Sequence, residues 1–349
     1  MIRNPHKLAD LDAMSLVYYR DLQQTMHLNA RIGRCTVPEL QPLMNYITRN
    51  LIRIITLRPD DLETEGVTLN GMFDQAITGY LATNPVLMNA GGNRITARQQ
   101  KVNHMKKLWK LEINKIFDYD HTADCFTKID DGKLAYRHAT RLQMNTCTYC
   151  NANFTYTIRT GRMKSRPEFD HFLKKSTNPF FALSFFNLVP SCSLCNSGAL
   201  KGQRVFSVGT HIHPMVDDIE GFYQFRTKVK AVDFLVNGKD FDLEMEPCPG
   251  KTQAELKKAE RSIAVFGIND RYRFHKDIAG EVIKKAYVYN HSAIENIYNG
   301  FQVDGQSIFK SPAEVKELVM GNFLHPDHFH KRALSKMTKD IAEEFGLTI

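Results

Sequence analysis

In the stretch RPEFDHFLKK, residues 166–175, Asp170 stands directly before His171, with Phe169 and Phe172 on either side. An imidazole has an unperturbed pKa close to neutrality and can serve as a general base. Beyond this pair lie Asn187, Asn196 and Lys201. A carboxylate and an amide oxygen are hard ligands that suit Mg²⁺ or Mn²⁺. With phosphate oxygens and waters completing the shell, one such ion polarises a scissile phosphate and stabilises the leaving oxygen. Neighbours in a strand point to opposite faces. A bend or the strand end must therefore bring Asp170 and His171 to one cleft, with Phe169 and Phe172 as core anchors.

Two Cys-x-x-Cys pairs frame this segment, Cys147/Cys150 and Cys192/Cys195, with residues 151–191 between them. Each pair sets two thiolates on one turn, and two such turns build a tetrahedral S₄ zinc site. A site of this kind folds loops that have little core of their own, and says nothing by itself about catalysis. The seven cysteines are an odd number, which argues against a disulfide framework. Cys35, Cys125 and Cys248 stand alone and read as small buried hydrophobes.

The order CTYC, FDHF, NLVPSCSLCN resembles the HNH endonuclease superfamily, the ββα-metal nucleases, in its zinc-knuckle form. The resemblance covers Cys147 to about Gly202. It implies that His171 is the water-activating base and that Asp170 and Asn196 are ligands of a catalytic Mg²⁺ or Mn²⁺. It implies that Asn187 holds the loop and orients the histidine, and that Cys147, Cys150, Cys192 and Cys195 bind a structural Zn²⁺. Asn196 stands where many relatives carry histidine; an amide oxygen favours Mg²⁺ or Mn²⁺ over Zn²⁺ there. The flanks, FDYDH at Phe117 and HKRALSKMTKDIAEEFG near the end, look like those of a group of bacterial HNH proteins. Some groups of the superfamily act in phage defence or mobile elements, sometimes beside an ATPase partner. The implied activity is hydrolysis of DNA phosphodiester bonds, with RNA not excluded by the motif. The alternative is a zinc-stapled nucleic-acid or protein adaptor without catalysis.

Between residues 159 and 175 six basic side chains face two acidic ones. Beside such a motif, contact with backbone phosphates is the expectation for Arg166, Lys174 and Lys175, joined by Lys201 and Arg204. None of them specifies a base sequence. His211 and His213 would share a face if extended, either as further ligands or as a polar strand end. The histidine-rich HPDHFHKR, residues 325–332, reads as surface or scaffold.

The elements that must hold these residues suggest an α+β chain, mostly helical, around a central zinc-stapled ββα-metal module. Residues 1–140 read as a helical region, 141–215 as the nuclease module and 216–349 as a mainly helical region. Leu43, Met44, Ile47, Leu51 and Ile54 follow helical spacing, as do Val102, Met105, Trp109, Ile113 and Ile116. Lys106, Lys107 and Lys110 fall on the opposite face, read as solvated. Gly66, Gly71, Gly91 and Gly92 suggest loops between helices. Phe154, Tyr156 and Ile158 alternate at strand period, Gly161 offers a turn, EFDHF and NLVPSC read as short strands, and SLCNSGALKG as a helix ending near Gly202. Thr252 with Glu255 forms a capping box, Ser311-Pro312 starts a helix that Gly321 closes, and an amphipathic helix ends the chain. A deletion after about Gly250 is expected to leave the zinc site formed.

The 349 residues are 43% hydrophobic and 24% charged, an ordinary soluble composition, with a net charge of +8 that suits a polyanionic partner. MIRNPHKLAD opens polar without an apolar stretch behind it, and PFFALSFFNLVP is too short to span a membrane. The expectation is a soluble cytoplasmic protein, with homo-oligomers one means of cutting both strands.

Overall fold

Leu11, Ser15, Tyr18, Leu22 and Met26 recur at steps of three and four and are all buried, forming the inner face of α1 (Leu8–Met26). The computed structural model describes residues 1–84, 94–237 and 240–347. After α1 come α2 (Leu28–Gly33), α3 (Gln41–Thr56), α4 (Pro59–Thr83), α5 (Arg94–Ile116) and α6 (Lys133–Leu142). Prolines open α3 and α4, where a missing N–H costs nothing. The expected apolar stripes of α3 and α5 face the core, with Val102 half-buried, and Lys106 on the outer face pairs with Asp74 at 2.7 Å.

Gly66 and Gly71 do not end a helix; both lie inside α4. A β-carbon at Gly66 would sit 3.1 Å from the Phe181 ring, so close packing, not a turn, explains that glycine. Gly91 and Gly92 lie outside the described residues.

The middle of the chain folds as two antiparallel pairs. β1 (Ile158–Thr160) and β2 (Met163–Ser165) form an exposed hairpin about Gly161. Strand geometry starts at Ile158; Phe154 and Tyr156 precede it and stack on each other at 4.9 Å. β3 (Glu168–His171) pairs with β4 (Leu188–Ser191), Asp170 opposite Val189 and His171 opposite Leu188. The helix that follows, α7 (Ser193–Asn196), is one turn long and stops at Asn196, short of Gly202. Gly202 has φ +46° and its missing β-carbon would lie 2.8 Å from the Gly198 carbonyl, so the chain turns sharply here instead of extending the helix.

The last third contains a sheet that the sequence reading omitted. β5 (Tyr223–Val229) pairs along its whole length with β6 (Phe241–Pro247), and α8 (Phe234–Asn237) lies between them in sequence. Phe241, Leu243 and Met245 alternate inward, while Lys228 bridges to Glu244 at 2.7 Å on the outside. Helices α9 (Gln253–Val265), α10 (Ile268–Tyr272), α11 (Lys276–Val288) and α12 (His291–Gly300) follow. A short hairpin, β7 (Gln302–Val303) and β8 (Gln306–Ser307), precedes α13 (Pro312–Met320) and α14 (Ser335–Glu344). The Thr252 capping box, the Ser311 cap and the Gly321 terminus all form as expected. One core runs through all three segments of the chain. Among the described residues, no helix is long and apolar enough to cross a membrane.

The loop between β3 and β4 is where core and chemistry meet. Phe180, Phe181, Phe185 and Phe186 are all buried there. Each such ring stabilises by about 1.5–3 kcal/mol relative to exposure. The helical region grips this loop at its carbonyls and hydroxyls: Tyr18 of α1 donates to Leu183 O at 3.1 Å, and Ser184 donates to Ile54 O of α3 at 2.7 Å. Those contacts fix the backbone around Ala182.

Candidate active site

The four paired cysteines come together. Their sulfurs all lie within 4.8 Å of one another and all four residues are buried. A tetrahedral site with Zn–S bonds of about 2.3 Å needs sulfurs about 3.8 Å apart, so the cluster can hold a metal ion such as zinc. Backbone N–H groups of Ala152 and Cys195 point at the sulfurs of Cys150 and Cys192 at 3.4 and 3.5 Å. Thr148 Oγ1 donates to Pro190 O at 2.8 Å, tying the first cysteine turn to β4.

The cluster is also gripped from the C-terminal third. Arg271 of α10 donates to Cys195 Sγ at 3.1 Å, and Tyr272 donates to Cys150 O at 2.6 Å. Asn151, at φ +51°, donates through Nδ2 to Phe329 O and Arg332 O, while Leu334 N donates to its carbonyl. Separate survival of the cluster after a cut at Gly250 is therefore not what these contacts support. The histidine-rich stretch is scaffold for the cysteine turn, and it also borders a cleft of about 490 Å³ over His6, His328 and His330.

His171 ends β3, so the strand terminus brings it and Asp170 to one cleft. Its Nε2 lies 3.0 Å from Ala182 O. A carbonyl can only accept, so Nε2 carries the proton and Nδ1 keeps the lone pair. Tyr119 stands edge-on to the ring at 4.5 Å. Burial lowers the His171 pKa to about 4, against the raising pull of the Ala182 hydrogen bond, and the imidazole is neutral at pH 7. Asn187 is fully buried and braces the loop: Oδ1 accepts from Leu173 N at 2.6 Å, and Nδ2 donates to Leu173 O and Phe181 O at 3.1 and 2.9 Å. Those bonds hold the segment that carries Ala182.

Asp170 is 5% exposed. Tyr149, between the first two cysteines, donates to its Oδ2 at 2.6 Å; burial and then the Asp170 charge raise the Tyr149 pKa, keeping the phenol protonated. Lys201 donates to Oδ1 at 2.8 Å. It was expected on the phosphate-binding surface, but its side chain turns inward under the Gly202 bend and is buried. Asn196 Nδ2 donates to Glu168 Oε2 at 2.8 Å, leaving Oδ1 as the atom open to a cation.

A cleft of about 570 Å³ is lined by Asp170, His171 and Asn196 with Arg166, Lys174, Lys175, Lys201 and Arg204. Asp170, His171, Asn196 and the five basic residues expected on phosphate thus meet in one place, while Asn187 is buried in the loop that carries Ala182. Lys175 pairs with Asp120 at 2.6 Å and lies over the Tyr119 ring. Arg159 and Lys164, farther out on the β1–β2 hairpin, are engaged by Asp131. Tyr119, Asp120 and Glu168 also line the cleft and were not singled out. Their only trace in the sequence was position, in FDYDH and directly before FDH.

His211 and His213 do not reach the cleft. His211 stacks on Phe206 at 3.8 Å, and His213 packs on Phe172 at 4.2 Å, in turns and not in a strand. Burial lowers their pKa values to about 4 and about 3. Of the lone cysteines, Cys35 and Cys125 are buried and Cys248 is half-exposed. No family model, curated protein or solved structure matches this chain.

Proposed function

We propose that the chain is a metal-dependent endonuclease of the HNH type that hydrolyses DNA phosphodiester bonds. The observation that carries this reading is the state of His171. Its Nε2–H is committed to Ala182 O, which leaves Nδ1 with the lone pair, and the residue lines a cleft together with Asp170, Asn196 and a basic rim. In the proposed step Nδ1 takes a proton from water as the water oxygen bonds to phosphorus and the 3′ P–O bond breaks, and the 3′ oxygen leaves as a hydroxyl with a proton from solvent water. The low pKa keeps that nitrogen free of a proton at neutral pH.

Asp170 and Asn196, with Glu168 beside them, offer the hard oxygen donors that suit Mg²⁺ or Mn²⁺. Such an ion, when bound, supplies charge stabilisation on the phosphate oxygens. Arg166, Lys174, Lys175 and Arg204 line the cleft where the backbone phosphates would lie. In this reading the cysteine cluster holds structural Zn²⁺. One such site cuts one strand, so a double-strand break takes two chains or two events. Action as the effector of a bacterial defence or mobile-element system, beside an ATPase partner, belongs to the same proposal and rests on the motif resemblance.

The test is plasmid nicking with Mg²⁺ or Mn²⁺, wild type against His171→Ala, with a single-stranded RNA in parallel. Nicking should fall by about 10²–10⁴-fold in the variant, with one zinc per chain in both proteins. Equal nicking by the two proteins removes His171 from the chemistry. Cleavage of the RNA alone reassigns the substrate, and binding without cleavage of either points to the adaptor.

A further inference from the structure

Lys201 stands where the proposed nuclease needs a cation. Its ammonium lies 2.8 Å from Asp170 Oδ1 and 2.7 Å from Oδ2. It also donates to the backbone carbonyls of His171 and, at 3.3 Å, of Phe172. An ammonium has three donors and no acceptor; here its hydrogen bonds all go to oxygen atoms, as a hard metal ion's bonds would, while the centre of the Phe206 ring lies 4.8 Å away. The residue is 2% exposed, so solvent screens it little. Tyr149 occupies a further lone pair of Oδ2 at 2.6 Å. Asp170 is thus neutralised from within the fold before any ligand arrives.

A divalent ion approaching Asp170 meets this like charge a few ångströms away in a poorly screened place. The remaining donors on the cleft side, Asn196 and Glu168, add one amide and one carboxylate that is itself hydrogen-bonded to Asn196. A phosphodiester changes the balance, because it brings negative charge and oxygen ligands to the same cleft.

We propose that Lys201 is the resident counter-ion of Asp170 and keeps the divalent-metal site weak until a phosphodiester enters, so that metal and nucleic acid load together. The proposal rests on the nuclease reading of the cleft. Linkage makes it reciprocal: the factor by which duplex tightens metal binding is the factor by which metal tightens duplex binding.

The experiment measures Mn²⁺ binding to the full zinc-loaded chain by electron paramagnetic resonance of the free ion. A His171→Ala background leaves duplex uncut, and duplex alone is the control. A short DNA duplex should tighten Mn²⁺ binding about tenfold or more, and Mn²⁺ should tighten duplex binding by the same factor. In the same background Lys201→Met should bind Mn²⁺ tightly without duplex, and most of the duplex effect should vanish. Equal Mn²⁺ affinity with and without duplex overturns the proposal, as does a folded Lys201→Met chain that binds Mn²⁺ no tighter than its parent. If Lys201→Met does not fold, the duplex dependence of the lysine-containing chain decides. These outcomes are separate from the nuclease reading: a chain that nicks plasmid yet binds Mn²⁺ equally in both states keeps the activity and loses the counter-ion.

Discussion

At the scale of single residues, the cleft is held by hydrogen bonds to side chains that never touch its opening. Asn187 is the main one. Asn187→Ala takes the partner from Leu173 N and Leu173 O in a buried place, and leaves Phe181 O with the Ser184 N–H alone. The expected cost is about 2–4 kcal/mol in urea unfolding, and under the proposed nuclease function nicking should fall because Ala182 O no longer fixes the His171 ring. Asn187→Asp keeps the acceptor for Leu173 N but sets an oxygen against the Leu173 and Phe181 carbonyls, so it should cost at least as much stability as alanine. A full-activity alanine variant would sink this positioning role. Tyr149→Phe removes only the hydroxyl on Asp170, and zinc content should not change. That Asp170, His171 and Asn196 line one cleft agrees with their order and spacing in the sequence, and their roles there belong to the proposed function. Tyr149 and Tyr119 were not legible, since a tyrosine in an apolar context reads as packing. Lys201 was read as a surface cation because nothing in SGALKG announces a turn that folds the side chain inward.

At the scale of elements, the four-cysteine cluster is a junction between strands of the middle segment and helices of the last third. Arg271 and Tyr272 of α10 and the turn before α14 all bond to it. A chain ending at Gly250 lacks these groups and is expected to fail to hold zinc, measured as metal content after gel filtration. A milder probe is Arg271→Ala in the full chain. Outer partners of metal ligands are commonly worth 10–100-fold in affinity, and a loss of roughly that size against a competing chelator is expected. Zinc retained at full affinity in both proteins would show the cluster to be self-sufficient. The helices were legible from period, proline and caps, because those are local rules. The β5–β6 ladder did carry a local signal, since FDLEMEP alternates apolar and acidic residues at strand period and its apolar set is buried; what no short window shows is the partner strand. The pairing of the two strands is fixed by the ladder and by α14, where Asp340 accepts from Phe225 N at 2.8 Å. Such a long-range bond leaves little trace in a short window of sequence.

At the scale of the whole molecule, the core encloses imidazoles as well as hydrocarbon, and this makes stability depend on pH. Burial is the first cause of the lowered pKa of His138, well below its ordinary value, of His171, to about 4, and of His213, to about 3. In the unfolded chain each titrates near 6.5. Folded pKa values below unfolded ones mean that the unfolded state binds more protons in acid. The stabilisation is therefore complete above about pH 6.5 and is lost as pH falls towards the folded values, about 4 for His171 and about 3 for His213. Each group costs up to about 1.4 kcal/mol per pH unit in that window, so three together should remove about 2–4 kcal/mol between pH 6.5 and 5.5. That is a large share of a typical total of about 5–15 kcal/mol. Acid would also protonate the thiolates of the cysteine cluster and release a metal ion held there, so a wild-type curve alone does not separate the causes; a matched variant does. His138 lies among the rings of Tyr18, Phe126, Phe169 and Phe185, away from the cysteine cluster. His138→Phe puts an apolar ring in that aromatic cage, and at pH 7.5 its urea midpoint should match or exceed that of the wild type. Between pH 6.5 and 5.5 its stability should fall by about 1 kcal/mol less than the wild type's, with zinc content per chain the same in both. Parallel curves for the two proteins across that range would mean that the buried His138 imidazole does not contribute to the acid limit of this fold.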